Sequence, residues 1–134
     1  MARTATCSTS SKDGTNKRTD AYGGSIANRS RLMLEVAKAV ASEVGAARAG
    51  LRLSPVAPLN DKTESNPQAL YDFIVDQLNA LKLAYIHVVE GATGGLRDVA
   101  PFDYGSLRKR LKGAYIANNG HDFELANKVL AANA

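Results

Sequence analysis

Arg52 is the residue whose placement in this 134-residue chain most needs a chemical reason. It sits in Ala49-Gly50-Leu51-Arg52-Leu53-Ser54-Pro55, a short apolar run. Strand alternation sends Leu51 and Leu53 to one face and Arg52 and Ser54 to the other, and Pro55 ends the ladder by removing a donor. A guanidinium on a strand is costly to desolvate unless an anion or a set of acceptors meets it. Two readings are open: an internal ion pair or exposed edge position, and an arginine holding an anionic ligand at the strand's C-terminal end. Two other stretches carry polar chemistry. Gly91-Ala92-Thr93-Gly94-Gly95 has the composition of a phosphate cradle, but it lacks the Gly-Lys-Ser/Thr ending of a P-loop and the spacing of a dinucleotide fingerprint, so a flexible loop is the default. His87, with Tyr85 two residues before it, reads as a hydrogen-bonded core histidine ahead of a catalytic one.

The elements that must position these residues alternate. Lys12–Ser25 is a loop marked by Asp13-Gly14 and Gly23-Gly24. Ser25 caps a helix whose Ile26, Met33, Val36, Val40 and Val44 recur at helical spacing, with Gly45 as its stop. Arg29 and Arg31 on that helix read as solvated or loop-pinning. The strand Ala49–Ser54 is followed by a polar loop, Val56–Ser65, long enough to reach over a strand's C-terminal end. Asn66 caps a second helix with Pro67 at its first position and a stripe of Leu70, Phe73, Ile74, Leu78 and Leu81. Leu83–Glu90 is a strand with Tyr85, His87 and Val89 on one face and Ala84, Ile86 and Val88 on the other, the two-sided apolarity of a buried parallel strand. A third helix spans Asp103–Leu111, a third strand Ala114–Ala117 runs into Asn118-Asn119-Gly120, and Asp122 caps a last helix with Phe123, Leu125, Val129 and Leu130. Strand starts about 30 to 35 residues apart are βαβ spacing. Right-handed crossovers then give three parallel strands side by side with helices on one face. The other face, with Val89, Tyr85 and Ile116 or Tyr115, is left to face water.

Composition narrows the function classes. The chain is 45% hydrophobic and 22% charged, with no apolar run near the ~18 residues of a membrane span. Cys7 is the one cysteine, which excludes an intramolecular disulfide and any thiolate-clustered zinc or iron–sulfur site; a reducing cytoplasm is the expected compartment. The net charge of +4 suggests phosphate backbones, but Arg108, Lys109, Arg110 and Lys112 gather at one helix end and no tryptophan is present, so nucleic acid is not an expected partner. Residues 1–11, rich in Ser and Thr, read as a disordered leader, and 12–134 as one incomplete domain.

Arg18-Thr19-Asp20-Ala21-Tyr22-Gly23-Gly24-Ser25-Ile26-Ala27-Asn28-Arg29-Ser30-Arg31 followed by Gly50-Leu51-Arg52-Leu53-Ser54-Pro55 resembles the old yellow enzyme family of FMN-dependent oxidoreductases. The similarity continues through Leu83-Ala84-Tyr85-Ile86-His87-Val88-Val89-Glu90 and Ile116-Ala117-Asn118-Asn119-Gly120-His121-Asp122, covering about Lys12 to Leu130. The resemblance implies an α/β fold, a (β/α)8 TIM barrel with FMN at the C-terminal ends of its strands. A full barrel needs about 250 residues, so this chain is expected to hold a segment of one, with about three parallel strands and four helices.

Residue by residue, the resemblance implies that Arg52 lies beside the flavin N1 and O2 edge, where a fixed guanidinium stabilises the anionic reduced ring. It implies that the backbone amides of Asn118, Asn119 and Gly120 help hold the FMN phosphate, in the usual barrel phosphate region. Asn119 stands where the family has a glycine. The family's paired substrate anchors and proton-donor tyrosine map to no residue here, because no His precedes His87 and no Tyr precedes Tyr22. The implied activity is hydride transfer from NAD(P)H through FMN to an activated alkene or similar small-molecule acceptor, with the isolated chain expected to be incomplete for it. The other function class is a catalytically inactive α/β remnant or structural partner that completes a barrel with another polypeptide. Self-association or a complementary fragment is the expected partnership.

Overall fold

The computed structural model describes residues 10–56, 63–92, 95–96 and 99–132. Positions 1–9 of the segment read as a leader, 57–62 of the polar loop, and Thr93 and Gly94 of the glycine-rich turn lie outside the described residues. Four helices and three strands have both ends within them: α1 (Ile26–Val44), β1 (Gly50–Leu53), α2 (Pro67–Asn79), β2 (Tyr85–Val89), α3 (Tyr104–Arg110), β3 (Tyr115–Asn118) and α4 (Phe123–Ala131). The strands form one parallel sheet in the order β1-β2-β3.

Each helix starts where a side chain can satisfy its first free amides. Ser25 accepts from the Asn28 amide (3.2 Å), Asn66 from Ala69 (3.1 Å), Asp103 from Ser106 (2.8 Å) and Asp122 from Leu125 (2.8 Å). Pro67 supplies the first turn of α2. Gly45 closes α1 at φ 89°, a left-handed backbone that favours glycine, and a short 3-10 turn, Ala46–Arg48, carries the chain into β1.

The core lies between the sheet and the helices on one of its faces. Leu51 and Leu53 of β1 and Ile86 and Val88 of β2 meet Met33 and Ala37 of α1, Leu70, Tyr71, Ile74, Val75 and Leu78 of α2, and Leu107 of α3. The buried stripe of α1 differs from the apolar periodicity: Arg29, Ser30, Met33 and Ala37 are covered, whereas Val36 and Val44 are 40% and 42% exposed. Met33 of the expected stripe is buried, and Ile26 packs against the core from its edge. On α2 the stripe is broader than expected, taking in Tyr71 and Val75, while Phe73 is only half-buried. Strand β3 runs one residue later than expected and includes Asn118, whose Cα pairs with Val89. Helix α4 buries none of its residues; Phe123 and Leu130 are 84% and 67% exposed.

The other face of the sheet carries Gly50, Arg52, Tyr85, His87, Val89, Ile116 and Asn118. It is not uniformly open. Ile116 is exposed, but Val89 is fully covered, and Tyr115 points the other way and packs against the core. Among the described residues β1 and β3 each pair on one side only, through β2.

Candidate functional site

The open face presents its side chains in cross-strand rows, because parallel partners in register project the same way. Gly50 pairs with Tyr85, and Arg52 pairs with His87, which pairs with Ile116. Tyr85 occupies the space above Gly50. Arg52 therefore lies on the face opposite Leu51 and Leu53, as strand alternation requires, one residue before the end of β1.

Arg52 is exposed, and among the described residues it has neither a carboxylate within ion-pair distance nor an acceptor for its N–H groups. The internal ion pair is thus not the explanation of its charge; the other half of that reading holds, since Arg52 is exposed on a strand that pairs on one side only among the described residues. His87 departs from the expected hydrogen-bonded core histidine: its Nε2 is buried and has no hydrogen-bond partner. Burial, and then the Arg52 guanidinium beside it, hold its pKa below the ordinary histidine range, so the ring is neutral at pH 7.

Asn118, Asn119 and Gly120 stand across β2 from Arg52, at the C-terminal end of β3. The Asn118 carbonyl accepts from the Glu90 amide (3.0 Å), and the Asn119 side-chain amide donates back to the Glu90 carbonyl (2.9 Å). This reciprocal pair locks the ends of β2 and β3 together and turns the Asn119 side chain onto Glu90. Asn119 and Gly120 have φ of 92° and 63°, so the turn uses two successive left-handed residues, which asparagine tolerates better than most. Glu90 is buried and accepts from the Tyr115 hydroxyl (2.8 Å); burial and the Glu90 charge raise the Tyr115 pKa far above its usual value.

The end of β1 is held by residues that the sequence reading spread over the leader, two loops and two helices. Arg29 and Glu64 form an ion pair at 2.9 Å with side chains 8% and 2% exposed. Arg29 also donates to the carbonyls of Ser11 (3.0 Å) and Gly24 (2.6 Å), and Glu64 accepts from the Asp13 amide (2.9 Å). Asp13 receives the Ser65 amide (3.0 Å) and its hydroxyl; burial pushes the Asp13 carboxyl up, but these bonds outweigh it and hold the pKa below the usual value. Lys12 donates to the Pro55 carbonyl (3.0 Å) and Tyr71 to that of Ser54 (3.2 Å). The loop-pinning reading of Arg29 holds. Ser11, assigned by composition to the leader, is fully buried in this clamp. The sequence signal for Glu64 was slight, a single acid just ahead of the Asn66 cap.

A groove of about 380 Å³ lies at the opposite ends of the strands, lined by Leu83, Tyr85, Leu111, Lys112 and their neighbours. Its lining includes none of Arg52, His87 and Ile116. The C-terminal rim thus carries a cation with no protein anion among the described residues, a buried ring nitrogen without a partner on the neighbouring strand, and a turn of left-handed backbone at the end of β3. The glycine-rich turn after β2 is described only at Gly91, Ala92 and Gly95, where Gly91 donates to the Tyr104 hydroxyl (2.7 Å).

Comparisons with known proteins bear on the family and the fold. The chain is 44% identical over 123 residues to 12-oxophytodienoate reductase 1 of Oryza sativa subsp. japonica, an alignment covering 90% of this chain and 32% of that protein. Its fold superimposes on the old yellow enzyme homologue from Zymomonas mobilis with a TM-score of 0.87 and 31% identity, covering 95% of this chain and 36% of the other. Morphinone reductase, solved in complex with tetrahydroNAD, matches with a TM-score of 0.83 and 37% identity over 95% of this chain and 34% of its own length. The chain thus spans about a third of the length of these relatives. Three parallel strands with helices on one face are a sector of the TIM barrel of the old yellow enzymes. Residues 11–134 match the family model of NADH:flavin oxidoreductases and NADH oxidases, and the chain belongs to that family.

Proposed function

We propose that this chain is the flavin-facing sector of an FMN-dependent NAD(P)H oxidoreductase of the ene-reductase type. Arg52 meets the N1 and O2 edge of the ring, and the amides of Asn118, Asn119 and Gly120 meet the phosphate. One observation carries this reading: a fully charged guanidinium stands on the open face of a barrel sector with no carboxylate of its own among the described residues. Bound FMN supplies a two-electron carrier that becomes anionic at N1 and O2 on reduction. Arg52 binds and orients that edge and stabilises the charge. Asn119, by holding the Glu90 carbonyl, fixes the turn whose amides face the phosphate. Hydride acceptance from NAD(P)H and delivery to an activated alkene are the family activity this sector serves.

The test is FMN titration of the full chain, followed by quenching of flavin fluorescence and by the visible absorbance band. Saturable binding in the wild type, weakened about 10- to 100-fold in Arg52→Ala and less in Arg52→Lys, is expected from loss of a charge-assisted contact. Absence of saturable binding, or equal affinity in Arg52→Ala, overturns the reading.

A second reading is favoured by the outer strands. Here the chain serves as a structural partner, and β1, β3 and the exposed Ile116, Phe123 and Leu130 are covered by another polypeptide that completes the barrel.

A further inference from the structure

His87, like Arg52 beside it in the row, has a polar group with no protein partner among the described residues. Its ring hangs from β2 in register with Arg52 of β1. Neighbouring strands lie about 4.8 Å apart, so the imidazole and the guanidinium occupy adjoining positions on one face. On the other side, β3 opposes it with Ile116, which carries no charge. Tyr85 and Val89 flank it on its own strand, and the helices lie behind the sheet. Among the described residues, Arg52 is therefore the charged group that faces His87. A buried polar atom without a partner is uncommon in a folded protein and marks a position that a ligand or water fills. Among the described residues there are two such atoms, Oγ of Ser30 within the helix layer and Nε2 of His87 on the sheet face that carries Arg52.

We propose that His87 is a ligand-binding residue of the Arg52 site, its Nε2–H donating a hydrogen bond to an oxygen of the anionic ligand that Arg52 holds. The assignment deepens the flavin reading and rests on it. A cation and a neutral ring donor side by side form a two-pronged anion receptor. The pair also couples binding to protons. With Arg52 unaccompanied, both burial and like charge disfavour the imidazolium. An anion set against Arg52 reverses the second of these effects, so the ring takes up a proton from solvent more readily once the ligand is bound. Affinity for an anionic ligand then rises as the pH is lowered toward the range in which the bound form of His87 protonates.

The test follows the imidazole nitrogens of the full chain by long-range 1H–15N NMR, with His121→Gln used to assign the two histidines, in the presence and absence of FMN. On FMN addition the His87 Nε2 resonance is expected to shift and its titration midpoint to rise. His87→Leu is expected to weaken FMN about 10- to 100-fold, and His87→Gln, which keeps an N–H donor, by less than about 5-fold. FMN binding with His87 resonances and midpoint unchanged overturns the His87 assignment and leaves the flavin reading standing. No FMN binding in the wild type overturns both. Circular dichroism of each variant separates loss of contact from loss of fold: a folded His87→Leu with wild-type affinity also refutes the assignment.

Discussion

The ring of Tyr85 lies across Gly50 on the neighbouring strand so closely that a Cβ added to Gly50 would sit 2.4 Å from its Cζ. The tyrosine thus uses the glycine as a floor. Gly50→Ala is expected to destabilise the chain by about 1–3 kcal/mol through overpacking. In a Tyr85→Ala background the same change should be neutral or favourable. Urea denaturation of the double-mutant cycle measures this; an equal cost in both backgrounds would show that the ring is not the obstacle.

Removal of Glu64 strands the guanidinium of Arg29, which is 8% exposed. Glu64→Ala is expected to cost about 3–5 kcal/mol, whereas an exposed pair such as Arg18–Asp20 contributes little. Thermal melts of Glu64→Ala and Asp20→Ala compare the two. Similar midpoints would contradict the assignment of the clamp as a buried structural charge pair.

His87 gives the stability of the chain a pH dependence of known sign. Its native pKa is depressed by burial and Arg52, while the unfolded ring titrates near 6.5. Between those two values the unfolded chain binds more protons, so stability is fully present above about pH 6.5 and is lost as pH falls to the native pKa. His87→Gln is expected to flatten that slope, and Arg52→Gln to narrow the window. Denaturation midpoints between pH 5 and 8 supply the measurement; a slope unaltered by His87→Gln would place its origin elsewhere.

The sides of β1 and β3 that are unpaired among the described residues, with Ile116, Phe123 and Leu130 exposed, favour association. Sedimentation is expected to show species larger than 14.2 kDa that grow with concentration. A monodisperse 14.2 kDa species, with a cooperative transition and no binding of a hydrophobic dye, would refute the expectation.

The alternation of elements, the caps and the placement of Arg52 were legible because each rests on local rules: a capping side chain, a period of two, a proline or glycine at a fixed position. The stripe of α1 was legible only at Ile26 and Met33, because which side of a helix is covered depends on what packs there, and Arg29, Ser30 and Ala37 are buried while Val36 and Val44 are exposed. The clamp was hidden for a related reason. Lys12, Asp13, Arg29 and Glu64 are ordinary surface residues by type, and only the return of the chain after β1 brings them together. His87 was read as satisfied because most core histidines are, and its missing partner emerged only from the row that it shares with Arg52.

The clamp also bears on the order in which the chain folds. Its bonds join residues far apart in sequence, 51 positions for Asp13–Glu64, 52 for Asp13–Ser65 and 43 for Lys12–Pro55. Closing loops of that length is entropically expensive before other contacts reward it, whereas α1, β1 and α2 meet through shorter connections. The segment before α1 should therefore dock last, after the rate-limiting barrier. Disrupting it with Gly14→Ala, whose Cβ would sit 2.6 Å from the Thr63 carbonyl oxygen, should speed unfolding and leave the folding rate nearly unchanged, as stopped-flow chevrons would reveal.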